Sequence, residues 1–317
     1  MSIKLGVIMD PIEGIKVSKD STFAMLLEAQ KRGYEIHYLQ ARDLFLKDDA
    51  VIANTAQIRV QDQASNWFEA SASSQLEMSY FDVVLMRKDP PMNMEYIYTT
   101  YLLDRVQKLG TLVVNHPTSL RNANEKLFAT QFNDCITPYL VTQQQAVLNE
   151  FIDEHKQVVV KPLDGMAGDS IFQVNYDDAN RNVILETITQ LDQRTVMAQK
   201  LIPEYVDGDK RVLLINGEPI LYALLRVPLK GELRANLAKG GAGQGIELNA
   251  RDRYICEQIK PALQDMQLCF VGIDIIGKYL TEINVTSPTG IRELDKMYDL
   301  NISETLFDHL ESQLKAG

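Results

Sequence analysis

Asp274, Glu282 and Asn284 stand in an apolar run that is interrupted once, at Gly277-Lys278. The apolar residues on either side read as two strands, and Gly277-Lys278 as the tight turn of a hairpin. Folding that hairpin brings Asp274 alongside Glu282. Glu282 and Asn284, two residues apart, project from the same face of the second strand. Two carboxylates and an amide oxygen then converge, with no His or Cys among them. Hard oxygen ligands of this kind suit Mg²⁺, with Mn²⁺ an acceptable substitute, and above all an ion that takes its remaining ligands from nucleotide phosphates. The plainer reading, a hairpin with polar residues facing solvent, fits poorly. Val271, Ile273, Ile275, Ile276 and Ile283 mark a buried sheet.

Other constellations point to anions. Lys161 ends an apolar strand and precedes Asp164-Gly165-Met166-Ala167-Gly168-Asp169. A lysine at the mouth of such a loop can place its ammonium on phosphates while Gly165 and Gly168 let backbone amides approach. The order is not that of a Walker A loop, and an ordinary turn serves the composition equally well. Arg211 and Arg226 lie toward the same end of an expected hairpin, where two guanidiniums are unfavourable unless an anion sits between them. Two solvated rim arginines are the alternative. Arg234 and Asn236 fall in the Gly-rich stretch 229–245, which reads as a mobile loop, either a lid over a bound anion or a plain exposed connector. Ser287 and Arg292 flank a Pro-Thr-Gly turn that makes either a carboxylate pocket or a capped helix start with a surface arginine. The four histidines are scattered outside these clusters, so a Ser-His-Asp or Cys-His apparatus has no support.

The elements that must position these residues alternate. Strand patterns at Lys4–Met9, Tyr34–Leu39, Phe81–Met86 and Thr111–Asn115 are interleaved with helices over 21–33, with Ser21 as N-cap, and over 94–108. That alternation predicts an open parallel α/β sheet. Residues 61–79, polar and Ser-rich, read as a surface excursion, and 119–132 as one helix. Beyond Pro138 the spacing predicts a mixed α+β region. Its strands lie at 139–142, 158–161, 170–174 and up to Ile202, with helices over 143–155 and 182–190. A hairpin over 211–227, a helix over 251–266, the opening hairpin and a closing helix follow. The expected boundary lies near residue 120, giving domains 1–120 and 121–317.

At 317 residues the chain has room for about two domains. A net charge of −11 argues against nucleic acid and anionic membrane surfaces as partners. Cys135, Cys256 and Cys269, odd in number and far apart, fit a reducing cytosol rather than a disulfide framework or a zinc site. No apolar stretch approaches the roughly 18 residues that a membrane span needs. A cytoplasmic protein is expected.

In order along the chain, Met9-Asp10-Pro11, Met86-Arg87-Lys88-Asp89-Pro90-Pro91, Asn124-Glu125-Lys126-Leu127, Lys161-Pro162-Leu163-Asp164-Gly165, Asp207-Gly208-Asp209-Lys210-Arg211, Gly272-Ile273-Asp274 and Thr281 through Arg292 together resemble the ATP-grasp ligases, and among them the bacterial glutathione synthetases. Two positions depart from the usual phosphate loop, Ala167 for a glycine and Asp169 for a small residue. The resemblance implies an N-terminal α/β domain followed by an ATP-grasp fold of two α+β subdomains. It also implies ligation of γ-glutamylcysteine to glycine through an acylphosphate, with ATP converted to ADP and phosphate. On this resemblance Lys126 and Lys161 hold phosphate oxygens, and Gln199, Lys200, Leu201 and Ile202 present backbone to the adenine. Asp209 lies near the ribose or phosphates, and Arg211 and Arg226 stabilise the acylphosphate and the tetrahedral oxyanion. Arg226, Arg234, Asn236, Ser287 and Arg292 meet substrate carboxylates. The family resembled further implies a homotetramer or other homo-oligomer. Another ATP-grasp carboxylate–amine ligase, such as one making D-alanyl-D-alanine, and a non-catalytic nucleotide-binding module are the competing readings.

Overall fold

Lys4–Ile8 (β1) and Val83–Met86 (β7) lie side by side and parallel at the centre of an eight-stranded sheet. The structure, a computed structural model, describes residues 2–165, 170–229 and 242–316. Glu35–Leu39 (β2) flanks β1 in parallel and Leu112–Val114 (β8) flanks β7. Leu44–Lys47 (β3), Ala50–Val60 (β4), Phe68–Ala70 (β5) and Ser74–Glu77 (β6) extend the sheet in antiparallel fashion beyond β2. The sequence reading missed this extension. β4 buries Val51, Ala53 and Thr55 and then Ile58 and Val60, so its alternation slips at Ala56-Gln57 and its inward set includes a polar residue, which dilutes the period-two signal. The 61–79 segment is therefore not a free excursion, because β5 and β6 both pair with β4.

Helices Ser21–Lys31 (α1) and Met94–Lys108 (α2) cover the sheet. The cap of α1 is Asp20, whose Oδ1 accepts from the Phe23 amide at 2.6 Å, rather than Ser21. The expected helix over 119–132 breaks into Pro117–Asn122 (α3) and two 3₁₀ turns, Phe128–Gln131 and Asn133–Cys135. The break is at Asn124, whose Oδ1 accepts from the Lys126 and Leu127 amides, both at 3.1 Å, and so competes with helical pairing.

Two antiparallel sheets follow. Tyr139–Thr142 (β9), Gln157–Pro162 (β10), Phe172–Asn175 (β11) and Val196–Lys200 (β12) form one, in the order β11-β10-β12-β9. Gln145–His155 (α4) and Arg181–Thr189 (α5) pack on it around a separate core that includes Leu148, Ile152, Val158, Val160 and Leu185. Asp209–Ile215 (β13), Glu218–Val227 (β14), Ala242–Glu247 (β15), Phe270–Ile276 (β16) and Tyr279–Asn284 (β17) form the other, in the order β15-β14-β13-β16-β17. Part of the stretch expected as a loop over 229–245 is thus the edge strand β15, and residues 230–241 lie outside the described residues. Ala250–Asp265 (α6) packs on this sheet, where Lys210 reaches the fully buried Asp252.

The chain closes with two helices, Ile291–Tyr298 (α7) and Ile302–Ala316 (α8), where one was expected. They return the C-terminus to the first sheet. Arg32 at the end of α1 reaches Glu311 at 2.9 Å and Asp308 at 2.8 Å. The apolar core runs continuously from the first sheet into the five-stranded one, with Leu5 and Phe23 in one cluster with Leu213, Ile291 and Leu306. That continuity gives the first sheet and the five-stranded sheet a common base, and the four-stranded sheet faces them across a cleft.

Candidate active site

The cleft between the two antiparallel sheets has a volume of about 360 Å³. Its floor is the opening hairpin. Asp274 and Glu282 are register partners and Asn284 lies opposite Gly272, so period two places the three side chains together as expected. Lys126 and Lys161 enter from the opposite wall. Their Nζ atoms stand 3.7 and 3.5 Å from Glu282 Oε1. Lys126 also donates to the Gly165 carbonyl at 2.8 Å, tying the mouth of the 162–165 loop to the site.

Arg211 and Arg226 come from β13 and β14, as two residues offset by one pair on the same face. The anion between them is Asp274. Arg211 donates through Nε to Oδ1 at 2.6 Å and through Nη2 to Oδ2 at 3.0 Å, while Arg226 Nη2 lies 2.9 Å from Oδ1. Arg226 also holds Asp209 Oδ2 at 2.6 Å. Asn284 Nδ2 donates to Asp274 Oδ2 at 3.2 Å. Among the described residues, no group of three or more His, Cys, Asp and Glu is arranged to hold a metal. A hard cation here would draw on Glu282, Asn284 and a shared Asp274, and would take its other ligands from phosphate. The all-oxygen donor set fits Mg²⁺ on those terms.

Burial raises the carboxyl pKa of Asp274, but Arg211 and Arg226 more than reverse this and hold it well below the usual carboxylate range. Glu282 is likewise lowered against burial, by Lys126 and Lys161. Asp209 is pushed up to about 6, chiefly by burial. Glu125 is pushed up to about 7 by burial and then by the like charge of Glu282. Lys161 is pressed down by burial. Four cations thus face two firmly ionised carboxylates and two that are drawn toward neutrality. Asp209 Oδ1 and Arg226 Nε are buried without a hydrogen-bond partner among the described residues. A polyanion would offset the surplus of cations and offer acceptors to donors such as Arg226 Nε.

Gly165, Gln199, Lys200, Leu201, Ile202, Asp209 and Ser287 all border the cleft. Two sequence expectations end elsewhere. Asp164 is not part of the lining, because its carboxylate turns outward to Arg194 at 2.5 Å. Arg292 is also absent from the cleft. Its guanidinium grips Asp62 through two bonds, of 2.8 and 3.0 Å, beside a separate hollow lined by Glu28 and Asp295. The reason is helical geometry. Buried Ile291 opens α7, and the next residue is rotated by about 100° around the axis, which carries Arg292 away. Gly168, Arg234 and Asn236 lie outside the described residues.

The sequence reading gave no role to Glu125, whose carboxylate faces the cleft and accepts from Thr286 Oγ1 at 3.3 Å. Its place between Asn124 and Lys126 was the available signal. It also missed the apolar wall of Val159, Ile171, Tyr205 and Ile276, suited to a flat heterocycle, because such residues read as ordinary core.

Comparison with known proteins agrees with this geometry. A family model described as the prokaryotic glutathione synthetase ATP-grasp domain matches residues 125–299, and the N-terminal domain of the same family matches residues 3–121. The chain is 51% identical to a glutathione synthetase of Coxiella burnetii over 99% of this chain and 98% of that one. It is 49% identical to a glutathione synthetase of Pseudomonas aeruginosa over the full length of both. Among solved structures, the D-cycloserine synthetase DcsG superposes with a TM-score of 0.68 at 13% identity, covering 97% of this chain and 99% of that chain. The ATP-grasp ligase PsnB, complexed with a precursor peptide and AMPPNP, gives 0.62 at 17% identity, covering 98% of each chain. At those identities the structural likeness speaks for the ATP-grasp fold alone. With matched family models on both halves and about half of all residues identical to full-length relatives, the chain belongs to the prokaryotic glutathione synthetases.

Proposed function

We propose that the chain joins γ-glutamylcysteine to glycine at the expense of ATP, giving glutathione, ADP and phosphate. The observation that carries this reading is the meeting of Lys126, Lys161, Arg211 and Arg226 around Asp274, Glu282 and Asn284 in one cleft. Phosphoryl transfer asks for positioning and charge neutralisation, and no protein nucleophile is required.

In this reading the backbone of Gln199–Ile202 and the apolar wall hold the adenine. Lys126 and Lys161 hold phosphate oxygens, together with the Gly165 end of the phosphate loop. Asp209 orients Arg226 and lies beside the ribose or phosphates. Asp274, Glu282 and Asn284 hold Mg²⁺, which when bound neutralises phosphate charge. The dipeptide's cysteinyl carboxylate attacks the γ-phosphorus as the bond to ADP breaks. The glycine amine then attacks the acyl carbon, and phosphate leaves with the electrons of the C–O bond. Arg211 and Arg226 stabilise the charge that builds on the acyl oxygen, and Ser287 contributes to the hold on substrate carboxylate.

The change from the parallel sheet to antiparallel sheets between Val114 and Tyr139 supports a division of the chain near residue 120. We extend the reading to a cytoplasmic homo-oligomer. Among the described residues no helix is long and apolar enough to cross a membrane. Sedimentation of the purified chain tests the oligomer. The activity is tested by coupled ADP release with γ-glutamylcysteine while the acceptor amine is varied. Release with glycine is expected. Release with D-alanine alone, and none with the dipeptide plus glycine, would overturn the reading.

A further inference from the structure

Arg87 is the cation that the cleft chemistry leaves unused. It follows β7 and is only 5% exposed, yet among the described residues it makes no ion pair. Its hydrogen bonds go to neutral oxygens, Thr22 Oγ1 from Nε at 3.1 Å and the Pro288 carbonyl from Nη2 at 2.9 Å. The face of Phe270 lies 5.4 Å away. A buried guanidinium without a carboxylate in contact is costly, and burial presses its pKa down despite the more distant help of Asp20 and Asp89.

What Arg87 holds is the loop that borders the substrate side of the cleft. Thr286, Ser287, Pro288 and Thr289 all line it. The Pro288 carbonyl is drawn to Arg87 and the Thr289 carbonyl to Arg211 Nη1 at 3.4 Å. In a trans peptide the following N–H points opposite to the carbonyl. The Gly290 amide obeys this, turning from Arg211 to Ser21 Oγ at 3.1 Å. By the same rule the Thr289 amide points away from Arg87, and among the described residues it has no acceptor. Gly272 makes the seat for this loop, since a Cβ there would meet Pro288 Cβ at 2.8 Å.

We propose that Arg87, in place of the Arg292 anticipated from sequence, is the positioning residue of a carboxylate subsite formed by the Thr289 amide and the Ser287 hydroxyl. It fixes the Pro288–Thr289 peptide with its donor toward the cleft and lends the subsite a buried positive charge that no carboxylate contacts. The ligand group is a non-reacting carboxylate, from the glutamyl end of the dipeptide or from the acceptor amino acid. The proposal rests on the glutathione-forming reading of the cleft.

The test compares wild-type enzyme with Arg87→Met and Arg87→Lys on four substrate pairs. The dipeptide is used as such and with its glutamyl α-carboxylate converted to a carboxamide, each with glycine or glycinamide. Wild-type turnover of the unmodified pair tests the underlying reading separately. The wild type is expected to prefer one of the two acids by about 10- to 100-fold in kcat/KM, the range for a charge-assisted contact. Arg87→Met is expected to collapse that preference toward unity and leave KM for ATP within about twofold, which a general loosening of the fold would not do. Collapse on the acceptor arm assigns the subsite to the acceptor, and collapse on the dipeptide arm assigns it to the glutamyl end. Arg87→Lys keeps the charge and is expected to keep most of the preference, with a higher KM for that one substrate. A wild type indifferent to both amides overturns the proposal. So does a preference that survives in Arg87→Met, or, if that variant does not fold, an unchanged KM in Arg87→Lys.

Discussion

Arg211 and Asp274 are register partners on neighbouring strands, and their side chains close into a two-point ion pair of 2.6 and 3.0 Å. The carboxylate expected to hold a metal is therefore also the counter-ion of the arginines expected to stabilise the acylphosphate and the tetrahedral oxyanion. One residue links both halves of the site.

Asp274→Asn leaves two buried guanidiniums with Asp209 as the remaining anion beside Arg226. Removing one partner of a buried pair costs about 3–5 kcal/mol. A loss in that range is expected in urea unfolding, together with a fall in kcat of about 100-fold or more. A variant with the parent's denaturant midpoint would show that the pair contributes nothing to stability.

Glu282→Gln separates metal binding from folding. The lysine contacts to Glu282 are long, at 3.5 and 3.7 Å, so the variant is expected to fold. With the carboxylate charge gone, Mg²⁺-dependent ADP release should disappear at all practical ion concentrations. Full activity would refute the assignment of Glu282 to the ion.

Gly272→Ala tests the seat of the 286–290 loop. The new methyl would lie 2.8 Å from Pro288 Cβ and 3.1 Å from Arg211 Cδ, too close without movement of both. Overpacking of this kind costs about 1–3 kcal/mol. We expect kcat/KM for the dipeptide to drop about tenfold or more, because the displaced atoms line the cleft. Unchanged steady-state kinetics would show that the loop tolerates the shift.

Asp295 provides a pH test away from the cleft. Burial pushes its carboxyl up to about 6, against the Ile302 amide that donates to Oδ1 at 3.0 Å. The unfolded chain releases this proton near pH 4 and the folded chain near pH 6, so stability falls as pH rises through that interval and then levels off. Asp295→Asn keeps an acceptor for Ile302 and removes the titration. Melting curves should show the variant ahead of its parent above pH 6, by less than about 1 kcal/mol after solvent screening, with no difference near pH 4. A gap that stays constant with pH would contradict this.

Much of the site was legible because its parts obey local rules. Period two and one Gly-Lys turn were enough to bring Asp274, Glu282 and Asn284 together, and β13–β14 pairing placed Arg211 near Arg226. The ordered set of short motifs carried the family and its fold. The failures share a different cause. β4 was missed because its pairing with β2, β3, β5 and β6, rather than a clean local alternation, holds it in the sheet. The turn of Arg292 toward Asp62 could not be read locally, because its helix begins at Ile291, whose N–H donates to the hydroxyl of Ser21, 270 residues earlier in the chain.

By itself the sequence determined the kind of chemistry, since residue types and spacings of two set which charges meet on one sheet face. Tertiary structure alone decided how those charges are used. It set Asp274 between two arginines, drove the carboxyl of Glu125 toward neutrality, turned Arg292 to Asp62, and buried Arg87 against the Pro288 carbonyl. Those outcomes depend on through-space distance and desolvation between residues far apart in the chain, which no local pattern encodes.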